Sequence, residues 1–301
     1  MDYSERLSVI GKECLVECAV DYDLSRKCTY GTGGKADGYF APADEETLKK
    51  LLAAIKDEEI PYFVLGRGSN VLVSDEGFRG AVISTERLKG LSLCGKILTA
   101  YAGENAGDAV DYALNNCLGG IEFLSGIPAS VGGVVAMNAG CFGKNVAEHI
   151  AYVVTTDGVY SAKDCDFAYR DSRFRKNKEC IVKAAFMLDN VEYEQSESKI
   201  DYFRKLRRGK QPKGRSCGSV FKNDGYYAGK LIESCNLKGR SVGGARVSEK
   251  HANFILAAPE ATSADIRALI EKIKAAVYAK TGTLLKEEIE YIGRFGDENK
   301  F

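Results

Sequence analysis

The sequence predicts an α+β protein of more than one unit, on three observations. Short runs rich in β-branched and aromatic residues alternate with helix-period segments, two glycine clusters interrupt those runs, and no internal repeat or low-complexity tract is present. At 301 residues the chain is long enough for two or three domains with their own cores, so no metal or disulfide staple is required.

Taken in order, residues 1–20 predict a short amphipathic helix with Leu7, Ile10, Cys14 and Cys18 on or near one face. Tyr30 to Pro42 is a glycine-punctuated turn followed by a strand. From Ala43 to Glu59 the period becomes helical: Leu48, Leu51, Leu52 and Ile55 share a face, and Asp44, Glu45 and Glu46 sit in the first turn, where the helix dipole favours anions. Pro61–Leu65 and Val71–Val73 are short apolar strands flanking Gly66-Arg67-Gly68-Ser69-Asn70, a helix–strand–glycine loop–strand order of α/β type.

Strands near Ala81–Ser84 and Ile97–Ala102 lead to a helix over about Asn105–Cys117. A glycine-rich stretch from Gly119 to Gly143 follows, then β-rich runs at Tyr152–Thr156, Gly158–Ser161 and Cys180–Met187. Ser198–Arg208 predicts a helix with Ile200, Phe203 and Leu206 inward, and Arg208–Arg215 a cationic loop, either a solvated linker or an anion-facing rim. Further helices are expected at Tyr227–Cys235 and around Ile266–Val277, the latter N-capped by Thr262 or Ser263 and closed by Gly282. The last strand is expected over Leu284–Ile292. Domain boundaries are placed near 85 and 205.

Lysine plus arginine and aspartate plus glutamate both number 42, so the overall field gives no reason to expect nucleic acid or an anionic membrane as partner. The ten cysteines are dispersed with no C-x-x-C pair, and the chain opens Met-Asp-Tyr-Ser without the apolar core of a signal peptide. The expectation is a cytoplasmic protein with reduced thiols. No apolar run is long enough to span a bilayer.

The stretch Gly119–Gly143 carries the chemistry. Its glycines alternate with small residues, so backbone can approach a ligand closely, and Ser125, Ser130 and Asn138 add short polar groups suited to a diphosphate. A second cluster at Gly66–Asn70 allows two loops to grip one long cofactor. Neither fits a commoner fingerprint. Gly66-Arg67-Gly68-Ser69-Asn70-Val71 opens like a dinucleotide motif, but Val71 is too bulky for its last position. Gly31–Ala36 fails as a P-loop, because Ala36 stands where Ser or Thr would hold magnesium.

Seven motifs in order resemble one family, the flavin-dependent UDP-N-acetylenolpyruvoylglucosamine reductases of bacterial cell-wall synthesis. They are Gly33-Gly34, Gly66–Asn70, Leu124–Gly132, Tyr169-Arg-Asp-Ser172, Gly218-Ser-Val-Phe-Lys-Asn223, Gly243-Gly-Ala245 and Glu288. The resemblance implies a two-part FAD-binding domain of the vanillyl-alcohol-oxidase (PCMH) type followed by a C-terminal α+β substrate domain. Its divisions are expected at 1–85 and 86–205 for the two flavin subdomains, 206–288 for the substrate domain and 289–301 for a C-terminal return segment. It also implies that hydride passes from NADPH to FAD and then to the enolpyruvyl group of UDP-N-acetylglucosamine enolpyruvate, giving UDP-N-acetylmuramate for peptidoglycan precursor synthesis. The expected partner is that small molecule alone, with no nucleic acid or membrane, acting on a monomer.

By the same resemblance, Ser219 donates the proton while Arg170 and Glu288 stabilise the enolate-like intermediate. Gly33, Gly34, Gly66, Arg67, Gly68, Ser69, Asn70, Ser125, Gly126, Ile127, Pro128, Ala129, Ser130, Gly132, Asn138 and Gly140 hold the cofactor. Arg207, Arg208, Asn223 and His251 face the substrate. No metal is expected. Two departures stand out: Glu287 and Glu290 occupy positions where the family usually has proline and arginine. The length and the Gln211–Ser219 run resemble the shorter family type, which lacks a closing tyrosine loop and leaves the site more open. A flavin oxidase of the same fold and a non-catalytic binding module are the competing readings. For a tethered flavin, His149 and His251 are the only histidines.

Overall fold

The computed structural model describes residues 2–296. Residues 297–301 of the expected return segment lie outside the described residues. Helix α1 (Ser4–Glu13) buries Leu7 and Ile10 and is shorter than its apolar spacing suggested. Leu15, with φ of 58°, breaks it, so Cys18 begins strand β1 (Cys18–Asp23) instead of continuing the helix. β2 (Lys35–Phe40) follows, then α2 (Glu45–Asp57), which Asp44 caps through the amide of Thr47 and which buries Leu48, Leu51, Leu52 and Ile55.

β3 (Tyr62–Leu65), β4 (Val71–Val73) and β5 (Phe78–Ser84) complete this region. The sheet order is β1-β2-β5-β3, with β5 parallel to both its neighbours. β4 stands apart and takes its partner from the far end of the chain.

A second, wholly antiparallel sheet begins with β6 (Leu91–Cys94) and β7 (Ile97–Tyr101). The chain continues through α3 (Ala106–Asn115), capped by Asn105, the two-residue β8 (Leu118–Gly119), and α4 (Val131–Ala136), a short helix inside the glycine stretch capped by Ser130. The hairpin β9 (Gly140–Cys141) and β10 (Lys144–Asn145) precedes β11 (Ile150–Thr155) and β12 (Val159–Ser161). After α5 (Arg173–Lys176) come β13 (Ile181–Met187) and β14 (Asp189–Asn190). The order of the five main strands is β12-β11-β13-β7-β6. One continuous core containing Leu98, Phe123, Val135, Phe186 and Ile200 joins this sheet to α3, α4 and the next helix.

That helix, α6 (Tyr193–Lys210), runs through the expected boundary at 205. Arg208, Gly209 and Lys210 are therefore its last turn, and the loop begins only at Gln211. α7 (Ala228–Ser234), β15 (Ser241–Val242), β16 (Ala245–Val247), β17 (Ile255–Ala257) and α8 (Ser263–Thr281) form a third, compact layer. α8 opens with a Thr262 capping box and ends at Gly282 with φ of 68°.

The last strand is shorter than expected. Regular pairing covers only β18 (Glu290–Ile292), which lies parallel to β4 with Glu290 opposite Val71. The preceding residues cross to another partner: Phe221 bridges Glu287, and Val220 accepts a hydrogen bond from the Glu288 amide at 2.7 Å. One segment thus ties the third layer to the first. A second tie is Asp75, whose carboxylate accepts the amides of Ser263 and Ala264, each at 2.8 Å, at the N-terminus of α8.

Candidate active site

The two glycine clusters meet. A methyl group on Gly66 would stand 2.6 Å from Ser130 Oγ, so the loop after β3 is pressed against the start of α4 and has no room for a side chain. Beside this contact lies a cleft of about 1050 Å³ including its open mouth, lined by Tyr62, Val64, Gly66, Gly132, Gly133 and Arg175 among others. Its walls come from β3 and β5 of the first sheet, from α4, α5 and β13, and from the closing residues Glu290–Ile292. Within the stretch, Ser125 Oγ is buried without any hydrogen-bond partner, a costly state that a polar ligand would relieve. Glycines from both clusters in the cleft lining, together with the unpartnered Arg175 Nε and Glu179 Oε2 there, fit a long, polar cofactor.

Other members of the expected cofactor set work inside the protein. Gly33 and Gly34 abut Val73 and the carbonyl of Asp75, which leaves no space for a ligand at their Cβ positions. Asn138 is buried with both ends of its amide engaged: Oδ1 accepts from the Ala147 amide and Nδ2 donates to the Ala168 carbonyl, each at 3.0 Å. It therefore fixes the tight turn Ala168–Asp171, and that turn carries Arg170. Asn70 likewise reaches across, donating at 3.1 Å to the carbonyl of Glu288. Arg67, Gly126 and Pro128 are exposed, while Ser69, Ile127 and Ala129 are half-buried along the same loops.

Arg170 adopts a left-handed backbone conformation, φ 56°, rare for a side chain of this size. The turn aims its guanidinium inward, where Nε donates to Glu288 Oε1 at 2.7 Å and a terminal nitrogen donates to the Gly140 carbonyl at 2.8 Å. The side chains are only 20% and 13% exposed, so the pair is largely withdrawn from water. Burial pushes the Glu288 carboxyl above its usual range, and the Arg170 charge opposes that shift.

Ser219 sits in the segment that pairs with residues 286–288, one residue before Val220, whose carbonyl holds the Glu288 amide. It is half-buried, and the Cβ position of neighbouring Gly218, at φ 82°, faces open space. Backbone pairing thus lays the Ser219 segment alongside residues 286–288, the stretch that carries Glu288.

The four expected substrate contacts divide. Arg208 is exposed at the end of α6, and its carbonyl accepts from Lys250. Asn223 is exposed, but Oδ1 holds the Ala228 amide and its own amide donates to the Tyr169 hydroxyl at 3.2 Å. His251 packs edge-on to Phe254 with Nδ1 accepting from the Asn253 amide, so the ring is held by structure and burial lowers its pKa. Arg207 corrects the expectation of a substrate-facing rim. Its donors point back into the glycine stretch, to the carbonyls of Ser125 and Phe123. Arg207 lies within α6, as its sequence predicts, but half-buried and turned toward the glycine stretch, away from the cationic loop that follows.

Both family departures have structural partners. Glu287 is held by Lys274 at 2.9 Å and Arg267 at 3.3 Å, which clips the final segment to α8. Glu290 lies 3.5 Å from Arg175, a long contact, so the position carries no cation toward the site. Sequence reasoning missed Tyr169 and Asp75 as connectors between layers. Their partners lie 54 and 188 residues away, a separation at which no local pattern signals a contact.

All ten cysteines are free. Cys217, two residues before Ser219, is fully enclosed, and burial pushes its thiol up to about 12, so it is unreactive in the folded protein. Native-state alkylation near pH 8 followed by peptide mass analysis should label exposed Cys94 and Cys117 while leaving Cys217 unmodified. Rapid labelling of Cys217 in folded protein would show a reactive thiol there instead.

Comparison with known proteins agrees with this geometry. Residues 36–160 match the FAD binding domain family, and residues 211–292 match the C-terminal domain of UDP-N-acetylenolpyruvoylglucosamine reductase. The fold and site therefore define a flavin-dependent oxidoreductase. The reductase of Caldanaerobacter subterraneus subsp. tengcongensis is 38% identical over 90% of this chain and 92% of its own length. That of Clostridioides difficile is 36% identical over 97% of both. The crystal structure of the Thermus caldophilus enzyme superposes with a TM-score of 0.79 at 32% identity, covering 92% of this chain and 99% of that one. The chain belongs to the UDP-N-acetylenolpyruvoylglucosamine reductase family. Its cofactor is FAD. No helix among the described residues is long and apolar enough to cross a membrane.

Proposed function

We propose that this protein reduces UDP-N-acetylglucosamine enolpyruvate to UDP-N-acetylmuramate with NADPH as reductant, supplying a peptidoglycan precursor. The observation that carries the reading is the meeting of Arg170, Glu288 and the Ser219 segment at one place, although they come from three separate stretches of chain. In this reading residues 1–85 and 86–205 hold the flavin, and residues 206–288, entered through the last turns of α6, hold the UDP-sugar. The enzyme acts as a cytoplasmic monomer.

When bound, FAD supplies the relay that carries hydride from NADPH to C3 of the enolpyruvyl group. Addition at C3 leaves negative charge on C2 and the adjoining carboxylate. Arg170, fixed by Gly140 and Glu288, presents a positioned cation to that charge in a site shielded from water, where such a charge acts most strongly. Glu288, with its raised pKa, can share a proton with the developing enol. Ser219 delivers a proton to C2 through its hydroxyl. Arg208 and Asn223, exposed on the third layer's side, face the nucleotide, and His251 shapes the pocket wall.

The experiment is anaerobic. NADPH should bleach the flavin of the purified protein, and the enolpyruvyl UDP-sugar should restore its colour. Bleaching without recovery would leave a flavin reductase of another substrate. Recovery only on admitting oxygen would favour the oxidase reading.

A further inference from the structure

We propose that Arg207 is the positioning residue of the flavin loop: from α6 it holds the segment Phe123–Gly126 on the course that the cofactor requires. The inference rests on reading that segment as a flavin contact. Arg207 Nε donates to the Ser125 carbonyl at 3.0 Å, and one terminal nitrogen donates to the Phe123 carbonyl and to Cys141 Sγ, each at 2.8 Å. Its guanidinium carbon lies 5.2 Å from the centre of the Phe142 ring, which stacks on Phe203 of the same helix at 4.9 Å. A single side chain thus binds the loop, the tip of the β9–β10 hairpin and α6 to one another.

The position matters because of what stands next to it. The Ser125 hydroxyl is buried without a partner, and its direction is set by the backbone whose carbonyl Arg207 holds. Gly126 turns the chain with φ of 79°, and a methyl group there would meet Arg207 Cδ at 3.2 Å. The arginine therefore lies across the turning point of the loop. Its planar fork engages two carbonyls at once, which a lysine ammonium on a flexible stem does not reproduce. Removing it leaves two carbonyls without their charged donors and frees the hairpin tip.

The test measures flavin retention in the holoenzyme, by the rise of free-flavin fluorescence on dilution. Arg207→Ala should raise the FAD dissociation constant about 10- to 100-fold, the equivalent of one charge-assisted hydrogen bond lost from the loop. The KM for the UDP-sugar at saturating FAD should stay near that of the unmodified enzyme. Millimolar guanidinium should restore retention in the alanine variant, and Cys141 should become faster to alkylate. If Arg207→Ala does not fold, Arg207→Lys carries the test, with a smaller loss of retention and faster Cys141 labelling expected. Wild-type retention in either folded variant overturns the proposal, as does an equal loss in Arg208→Ala, which would signify a general charge effect. Failure of the unsubstituted protein to bind FAD at all would instead overturn the reading of the loop as a flavin contact.

Discussion

Ser219→Ala should separate the two half-reactions. The substitution removes a hydroxyl from a segment fixed by backbone pairing to residues 286–288, so neither glycine cluster nor the cleft between them is disturbed. NADPH should bleach the flavin at near the original rate. Reoxidation by the UDP-sugar should slow about 10²–10⁴-fold, the usual contribution of a positioned general acid. Ser219→Cys should retain more activity than alanine, because a thiol can also donate a proton, and Gly218 leaves open space beside it. Stopped-flow absorbance distinguishes the outcomes. Equal slowing of both half-reactions would indicate a flavin-binding defect, and slowing of neither would remove Ser219 from the chemistry.

Arg170→Ala has the second large effect, and it acts in two ways. The developing charge at C2 loses its cation, for which the cost is on the order of 10²–10³-fold in the reoxidation step. Glu288 loses the partner that counters its burial. Desolvation raises the Glu288 pKa while Arg170 lowers it, so removing Arg170 must move the carboxyl further upward, and protonation then sets in at higher pH than in the unsubstituted enzyme. The carboxyl resonance of ¹³C-labelled glutamate reports that titration directly. Arg170→Lys should recover part of the rate only, since Arg170 serves Glu288 and the Gly140 carbonyl with separate nitrogens of one fork. An unchanged titration of Glu288 in the alanine variant would show that the ion pair does not govern it.

Local patterns in the sequence specified local structure well. The Asp44 cap, the stripe from Leu48 to Ile55 and the Thr262 box are signals contained within a few turns, and each helix forms where its signal lies. Cys18 and the Arg208–Lys210 turn went astray because periodicity does not mark the residue at which a helix stops. A left-handed Leu15 ends α1 early, and α6 runs on through exposed residues to a last turn closed by the Gln211 amide on the Arg207 carbonyl. The meeting of Arg170 with Glu288 was legible only through the family motifs. Nothing near Arg170 announces an ion pair with a residue 118 positions away. Glycines that look alike in sequence differ in their surroundings: Gly66 presses against Ser130 at the cleft, whereas Gly33 and Gly34 pack against Val73 and Asp75.

The pairing of β18 with β4 has a kinetic meaning. Asn70 and the Glu288 carbonyl that it holds are separated by 218 residues, so the contact closes most of the 301-residue chain into a loop. Contacts of such long range carry a large closure entropy and form after local ones. During synthesis the two flavin-binding sheets, complete by residue 187, can assemble while the third layer is still being made. Glu288 reaches Arg170 only when the closing strand has emerged from the ribosome. The same strand lines the cleft beside Gly66 through Glu290, Tyr291 and Ile292, so one wall of that cleft and the Arg170–Glu288 pair are completed together when β18 docks.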